Sequence, residues 1–96
     1  MSQLAFTAFS LNGVDAQKFL QGQVTVHVER LPENENRYTA ICDLKGRIHF
    51  GLWIKRLNPE SFELVTTQDQ AEEFSKHIKK FGAFSKMKLE EIGSVF

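Results

Sequence analysis

The chain is patterned in short segments in which apolar and polar residues alternate. Residues 4–11 set Phe9 and Leu11 on one face and Phe6 on the other, which predicts a strand with at least one buried face. Gly13 then ends the pattern as a turn former.

A short helix is predicted next. Asp15 opens it, because a carboxylate suits the positive N-terminal end of a helix. Its partly apolar stripe at helical spacing consists of Val14, Ala16, Phe19, Leu20 and Gln23. Residues 24–28 alternate like a strand but also resemble a helix end, so they stay unassigned. Residues 32–36 carry turn formers without periodicity and predict a polar loop.

Three more strands are predicted over residues 37–43, 47–57 and 62–66, each alternating with a period of two. The first two are joined at residues 43–46, where Gly46 suits the positive φ of a bulged hairpin turn. A second turn follows after the middle strand. Three consecutive antiparallel strands of this kind form a meander.

A second helix and a last strand complete the pattern. Thr67 and Gln70 have the spacing of a capping box, with a hydroxyl at the cap and an amide three residues later. Gly82 is placed just beyond the helix end, in the position called C′. The apolar stripe of the helix consists of Ala71, Phe74, Ile78 and Phe81. The last strand is indicated by Met87, Leu89 and a displaced Ile92, and residues 93–96 are predicted to follow it as a short stub.

The order strand, helix, three strands, helix, strand predicts an α+β fold. Residues 1–96 fit one domain, built as an antiparallel sheet with two helices on one face and ferredoxin-like in outline.

Composition narrows the classes of function. Twelve Lys and Arg residues balance twelve Asp and Glu residues, so no global basic field favours direct nucleic-acid binding. The N-terminus has no basic region followed by an apolar one, which argues against a secretory signal. No apolar run approaches the ~20 residues that a membrane-spanning helix needs. The sequence therefore predicts a cytoplasmic protein without a membrane partner.

Candidate catalytic and metal-binding residues are sparse. Cys42 is the single cysteine and is predicted to be buried and inert. His27, His49 and His77 share no metal-binding spacing, and the last two are predicted to be solvated, so no metal site is expected. No nucleophile–base pair or pair of carboxylates is evident, and we predict no catalytic residue and no catalysis by the chain on its own.

The tip of the predicted hairpin, residues 45–47, is Lys-Gly-Arg. Two interpretations stay open here. The tip is either a solvated turn whose glycine serves the backbone or a contact for an anion such as a polyglutamate tail or a phosphate.

Three blocks in this order resemble one family: residues 18–25, residues 40–47 and residues 79–88. The pattern is similar to that of the YgfZ-type folate-binding, tRNA-modifying proteins, which are related to the glycine-cleavage T-protein, an aminomethyltransferase. The resemblance implies a bacterial protein that binds tetrahydrofolate and serves iron–sulfur enzyme maintenance, iron–sulfur cluster assembly and tRNA modification. It also implies that the chain is the N-terminal half of a T-protein-like folate-binding domain.

The resemblance suggests Gln21, Gln23 and Thr25 as residues near the folate pocket. The Lys-Gly-Cys signature of the family lies beyond residue 96, and Cys42 is not the cysteine of that signature. The sequence 26–28, Val-His-Val, departs from relatives that often have an acidic residue here.

An alternative function is a non-catalytic, self-associating interaction module. A half-domain would leave apolar surface exposed, and either the missing C-terminal part or a second copy of the chain could cover it.

Overall fold

The chain forms one antiparallel five-stranded sheet with two helices. The computed structural model describes residues 5–42 and 45–95. Its elements are β1 (Phe6–Asn12), α1 (Ala16–Gln21), a 3-10 helix (Val28–Arg30), β2 (Asn36–Cys42), β3 (Ile48–Asn58), β4 (Ser61–Thr67), α2 (Gln68–Phe81) and β5 (Lys88–Val95). The strands lie in the order β2-β3-β4-β1-β5. This confirms the predicted α+β class.

The strand order explains the ferredoxin-like outline. Without β2, the remaining elements follow the sequence strand, helix, two strands, helix, strand, with β1 and β4 at the centre of the sheet. β2 is added at the edge next to β3, as the predicted meander requires.

The core lies between one face of the sheet and both helices. Phe9 pairs with Leu64 and Leu11 with Phe62 across the central strands, and all four side chains are buried. Buried residues of α1 and α2 belong to the same apolar cluster, so both helices cover this face: Ala16, Leu20, Ala71, Phe74 and Ile78. Burial of these apolar side chains is the main source of stability in a domain of this size.

The predicted stripes are only partly buried. Val14 precedes α1 and is 62% exposed, and Phe81, in the last turn of α2, is 56% exposed. Val14 lies two residues before α1 begins, and Phe81 is the last residue of α2.

The two ends of α2 differ in detail from the sequence prediction. The amide of Gln70 donates to the hydroxyl of Thr67 at 2.6 Å, so the two side chains bond each other instead of capping backbone N–H groups. Gly82 follows the helix with φ −98°, outside the left-handed region. Position 82 requires glycine for steric reasons, because a Cβ there would lie 2.8 Å from the carbonyl oxygen of Ile78.

The last strand is longer than predicted. Gly93 pairs with Ala8 and Glu91 pairs with Phe9, so Ile92 is an extra residue that bulges from β5. This bulge explains why Ile92 is displaced from the alternation. The predicted stub is wrong over residues 93–95, which continue β5 along β1, while Phe96 lies outside the described residues.

The segment left unassigned, residues 24–28, is neither strand nor helix for most of its length. Val24 forms an isolated bridge with Ile41, and Val28 begins the 3-10 helix. The hairpin glycine is as predicted, since Gly46 has φ +79°. The neighbouring residues 43 and 44 lie outside the described part of the chain.

Candidate functional site

The face of the sheet that carries no helix presents one continuous row of residues. In register across the five strands, the row is Tyr38, Trp53, Val65, Ala8 and Gly93. The row combines two large aromatic rings at one edge with small residues toward the other. We call this surface the open face.

The aromatic rings of the open face contact one another. The Trp53 ring lies edge-on to Tyr38 at 4.9 Å and to Phe6 at 5.5 Å. Tyr38 also lies over Gly51, whose missing side chain leaves room for the ring. Tyr38 remains 60% exposed and Trp53 37% exposed. Exposed aromatic rings with polar tips are typical of surfaces that bind flat ligands or protein partners.

The next row of the open face is charged. Lys55 of β3 pairs with Glu63 of β4, and their side chains form an ion pair at 3.8 Å. Beside the apolar row, this pair offers one cationic and one anionic group at the same surface.

A second candidate surface lies on the helix side, at the start of β3. Ile41 pairs with Phe50, and Cys42 pairs with Ile48, so His49 is an extra residue and bulges from β3. Its ring stacks on Phe50 at 4.3 Å and lies 5.5 Å from the ring of His77 on α2.

This arrangement contradicts the predicted solvation of His77, whereas His49 is exposed, as predicted. Strict alternation would put His49 on the open face, but the bulge turns it toward α2. His77 is half-buried and bonds Gln23 through Nε2 and Oε1 at 2.9 Å. The pKa of His77 is lowered by burial first, and then by the nearby His49 and Lys80.

A groove of about 580 Å³ surrounds this histidine pair. Its walls come from the end of α1, the start of β3 and the second half of α2: Gly22, Gln23, Cys42, His49, Phe50, Glu73, Lys76, His77, Lys80 and Phe81. The groove therefore combines aromatic walls with several basic side chains.

The structure separates the three residues suggested for the folate pocket. Gln23 lines the groove. Gln21 is used within the fold, since its Oε1 accepts from the N–H of Val28 at 2.7 Å. Thr25 is exposed, and its hydroxyl bonds that of Thr39 at 3.1 Å. A ligand role for the three residues stays a prediction.

Cys42 also lines the groove and is half-buried, so the prediction of a buried thiol is wrong. It is the residue opposite the bulge, where β2 and β3 part from regular pairing. Among residues 5–42 and 45–95, no three His, Cys, Asp or Glu side chains converge as metal ligands.

Comparison with known proteins assigns the chain to a family. Residues 1–95 match the family described as the GCVT N-terminal domain. The chain belongs to this family.

Curated relatives of this GCVT N-terminal domain include two proteins named tRNA-modifying protein YgfZ. The protein from Colwellia psychrerythraea is 37% identical over 94 residues, which cover 94% of this chain and 28% of the relative. The protein from Escherichia coli strain SE11 is 31% identical over 80 residues, covering 83% and 24%. The chain thus spans about a quarter of the YgfZ proteins that it matches.

The fold is shared with a solved structure. The glycine cleavage system aminomethyltransferase T from Bartonella henselae superposes with a TM-score of 0.84 and 20% identity, over 91% of this chain and 24% of that one. The likeness confirms the fold of half a T-protein domain. Within the described chain, no helix has the length and apolarity to cross a membrane.

The surface residues that the fold brings together are distant in the sequence and lie on different elements. Tyr38 and Trp53 are opposite each other only through the register of β2 and β3. A signal was present, since the two rings occupy the same predicted face of a meander as Gly51. The contact between His49 and His77 could not be predicted from the sequence, because no residue pattern indicates that a bulge occurs at His49.

Proposed function

We propose that this chain binds tetrahydrofolate and that the open face is the surface that receives it. One observation carries the proposal: Tyr38 and Trp53 form an exposed aromatic row that no helix covers. Membership of the GCVT N-terminal domain family supports folate as the ligand. A pterin ring is flat and heteroaromatic, so it can stack on such rings, and its polar edge can reach Lys55 and Glu63.

The experiment is a titration of the chain with tetrahydrofolate. Trp53 is the single tryptophan, so its fluorescence reports directly on the open face. Calorimetry gives a second measurement that light absorption by the ligand does not affect. We expect saturable binding together with quenching of Trp53.

Two variants locate the ligand. Stacking of a base on an aromatic side chain is worth about 1–3 kcal/mol, so Tyr38→Ala should weaken binding by about 5- to 150-fold. Phe84→Ala is the matched control, because Phe84 is fully exposed and lies outside the open-face row. Gln23→Ala tests the residue that the resemblance suggested and that lines the groove.

Each result decides between the alternatives. Loss of affinity in Tyr38→Ala, with Phe84→Ala unchanged, supports the open face. Loss of affinity in Gln23→Ala alone would place folate in the groove and overturn the proposal that it binds the open face. Absence of binding at millimolar tetrahydrofolate would refute folate binding by this chain.

The wider role is part of the same proposal. We propose that the chain acts in a bacterial cytoplasm in tRNA modification and iron–sulfur enzyme maintenance, as the resemblance to YgfZ-type proteins implies. The remainder of a longer polypeptide or a second copy of the chain would then complete the folate-binding domain, and we propose no direct nucleic-acid contact. Complementation of a strain lacking its YgfZ protein would test this role.

Self-association is the alternative function, and it would use the same open face. An exposed row of Tyr38 and Trp53 could pack against its own copy. Sedimentation equilibrium of the wild-type chain and of Tyr38→Ala would detect a dimer that depends on this surface, and a wild-type chain that stays monomeric at high concentration would exclude it.

A further inference from the structure

The groove at the histidine pair has an excess of basic groups. Lys76, Lys80 and His77 face it from α2, and His49 faces it from β3. Glu73 on α2 is the one carboxylate among its lining residues, and Lys76 also forms an ion pair at 3.3 Å with Glu72 of the same helix. Cys42 contributes a thiol from β2. Gly22 and Gln23, which follow α1, contribute uncharged groups.

The walls between these charges are aromatic. Phe50 is buried beneath the His49 ring, while Phe81 is 56% exposed and lies 4.5 Å from the ring of His77. At about 580 Å³, the groove has room for a six-membered ring with a charged substituent.

His77 is the group whose charge a ligand would change. Its Nε2 bonds the amide oxygen of Gln23, so Nε2 carries the hydrogen of the neutral ring and Nδ1 is the nitrogen that gains a proton. Burial, His49 and Lys80 all oppose that second proton and lower the pKa of His77. A bound anion would offset the repulsion from His49 and Lys80 and so favour the protonated form of the His77 ring.

We propose that the groove binds a flat aromatic carboxylate and that binding shifts His77 toward its protonated form. The aromatic part lies against the exposed rings of Phe81 and His49, and the carboxylate lies among His77, Lys76 and Lys80. The proton comes from solvent and adds to the neutral imidazole, so no other bond is made or broken. The site lies on the helix side of the sheet and does not depend on folate binding at the open face.

The test is an NMR titration of the histidine ring protons with benzoate. Benzamide is the neutral probe of the same shape, and inorganic phosphate is an anion without a ring. Proton and ligand affinities are linked reciprocally, so a rise of one unit in the pKa of His77 corresponds to about tenfold tighter benzoate binding at low pH. We expect benzoate to raise the pKa of His77 by about one unit, and benzamide to leave it unchanged.

Variants separate this site from general effects. His77→Gln should reduce the pH dependence of benzoate binding, and Phe81→Ala should weaken binding at every pH. His27→Gln is the control, because His27 is exposed and does not line the groove.

Several results would overturn the proposal. Equal binding of benzamide would exclude the role of charge, and equal binding of phosphate would exclude the aromatic walls. A pH dependence of benzoate binding that is unchanged in His77→Gln would place the proton on another group. Failure of tetrahydrofolate to bind at the open face would leave each of these outcomes unaffected.

Discussion

The turn after β1 makes a sharp prediction about stability. Gly13 has φ +149°, and a Cβ on it would collide with the backbone of Lys86 and Met87. The two segments are also bonded to each other: the N–H of Lys86 donates to Asp15 Oδ2 at 2.7 Å, and the N–H of Asp15 donates to the Lys86 carbonyl at 3.2 Å. Replacement of Gly13 by alanine must therefore strain the backbone and separate two tied segments.

The expected loss follows from two separate costs. A side chain at a positive φ costs about 1–3 kcal/mol. Forcing backbone apart in a packed contact adds about 1–3 kcal/mol. Gly13→Ala should therefore lower the free energy of unfolding by about 2–6 kcal/mol. Gly46→Ala is the matched control, since Gly46 also has a positive φ of +79° but its Cβ would meet nothing within 4 Å.

The assay is urea unfolding followed by circular dichroism, with both variants measured beside the wild-type chain. The control should lose only the conformational part, about 1–3 kcal/mol. If Gly13→Ala is no less stable than Gly46→Ala, the close approach of residues 86 and 87 does not contribute, and the reasoning fails. If Gly13→Ala does not fold in buffer, both variants are unfolded in the same molar concentration of sucrose, which strengthens apolar burial, and Gly13→Ala should still be less stable than the control.

Two other variants give direct tests. Gln21→Ala removes the acceptor for the Val28 N–H and the donor to the Val26 carbonyl, and it should lower the free energy of unfolding by about 1–3 kcal/mol in the same urea assay; an unchanged value would free Gln21 for a ligand role. The pKa of His77 is lowered in the fold from an unfolded value of 6.5, so the unfolded chain binds more protons in that range. The free energy of unfolding should be constant above about pH 6.5, fall as the pH drops through the lowered pKa of His77, and then level off. His77→Gln should remove this pH-dependent change when unfolding curves are measured at several pH values.

Much of the fold follows from local sequence patterns. Alternation located the strands, most clearly where one face is buried, as in β1, where Thr7, Phe9 and Leu11 are buried. The spacing of Phe74 and Ile78 predicted α2 for the corresponding reason, since both residues lie on the buried stripe of a 3.6-residue repeat. The turn at Gly46 was predictable because few residues other than glycine adopt a positive φ.

The residues of the candidate surfaces depend on features that local patterns do not encode. The opposition of Tyr38 and Trp53 is set by strand register, which no single segment specifies. Gln21 looked like a ligand residue in sequence, but its amide is used to hold the chain between α1 and the 3-10 helix. Such a role needs a backbone partner five to seven residues away to be in place, and only the folded chain shows it.

The bulge at His49 determines on which side of the sheet the His49 ring lies. By alternation, His49 would share the open face with Gly51 and Trp53, and His77 on α2 would face a groove without a second imidazole. The inserted residue moves His49 to the helix side while Trp53 keeps its place opposite Tyr38. One strand thus supplies an aromatic residue to each side of the sheet, and the two proposed ligands, folate on the open face and an aromatic carboxylate in the groove, can be tested independently.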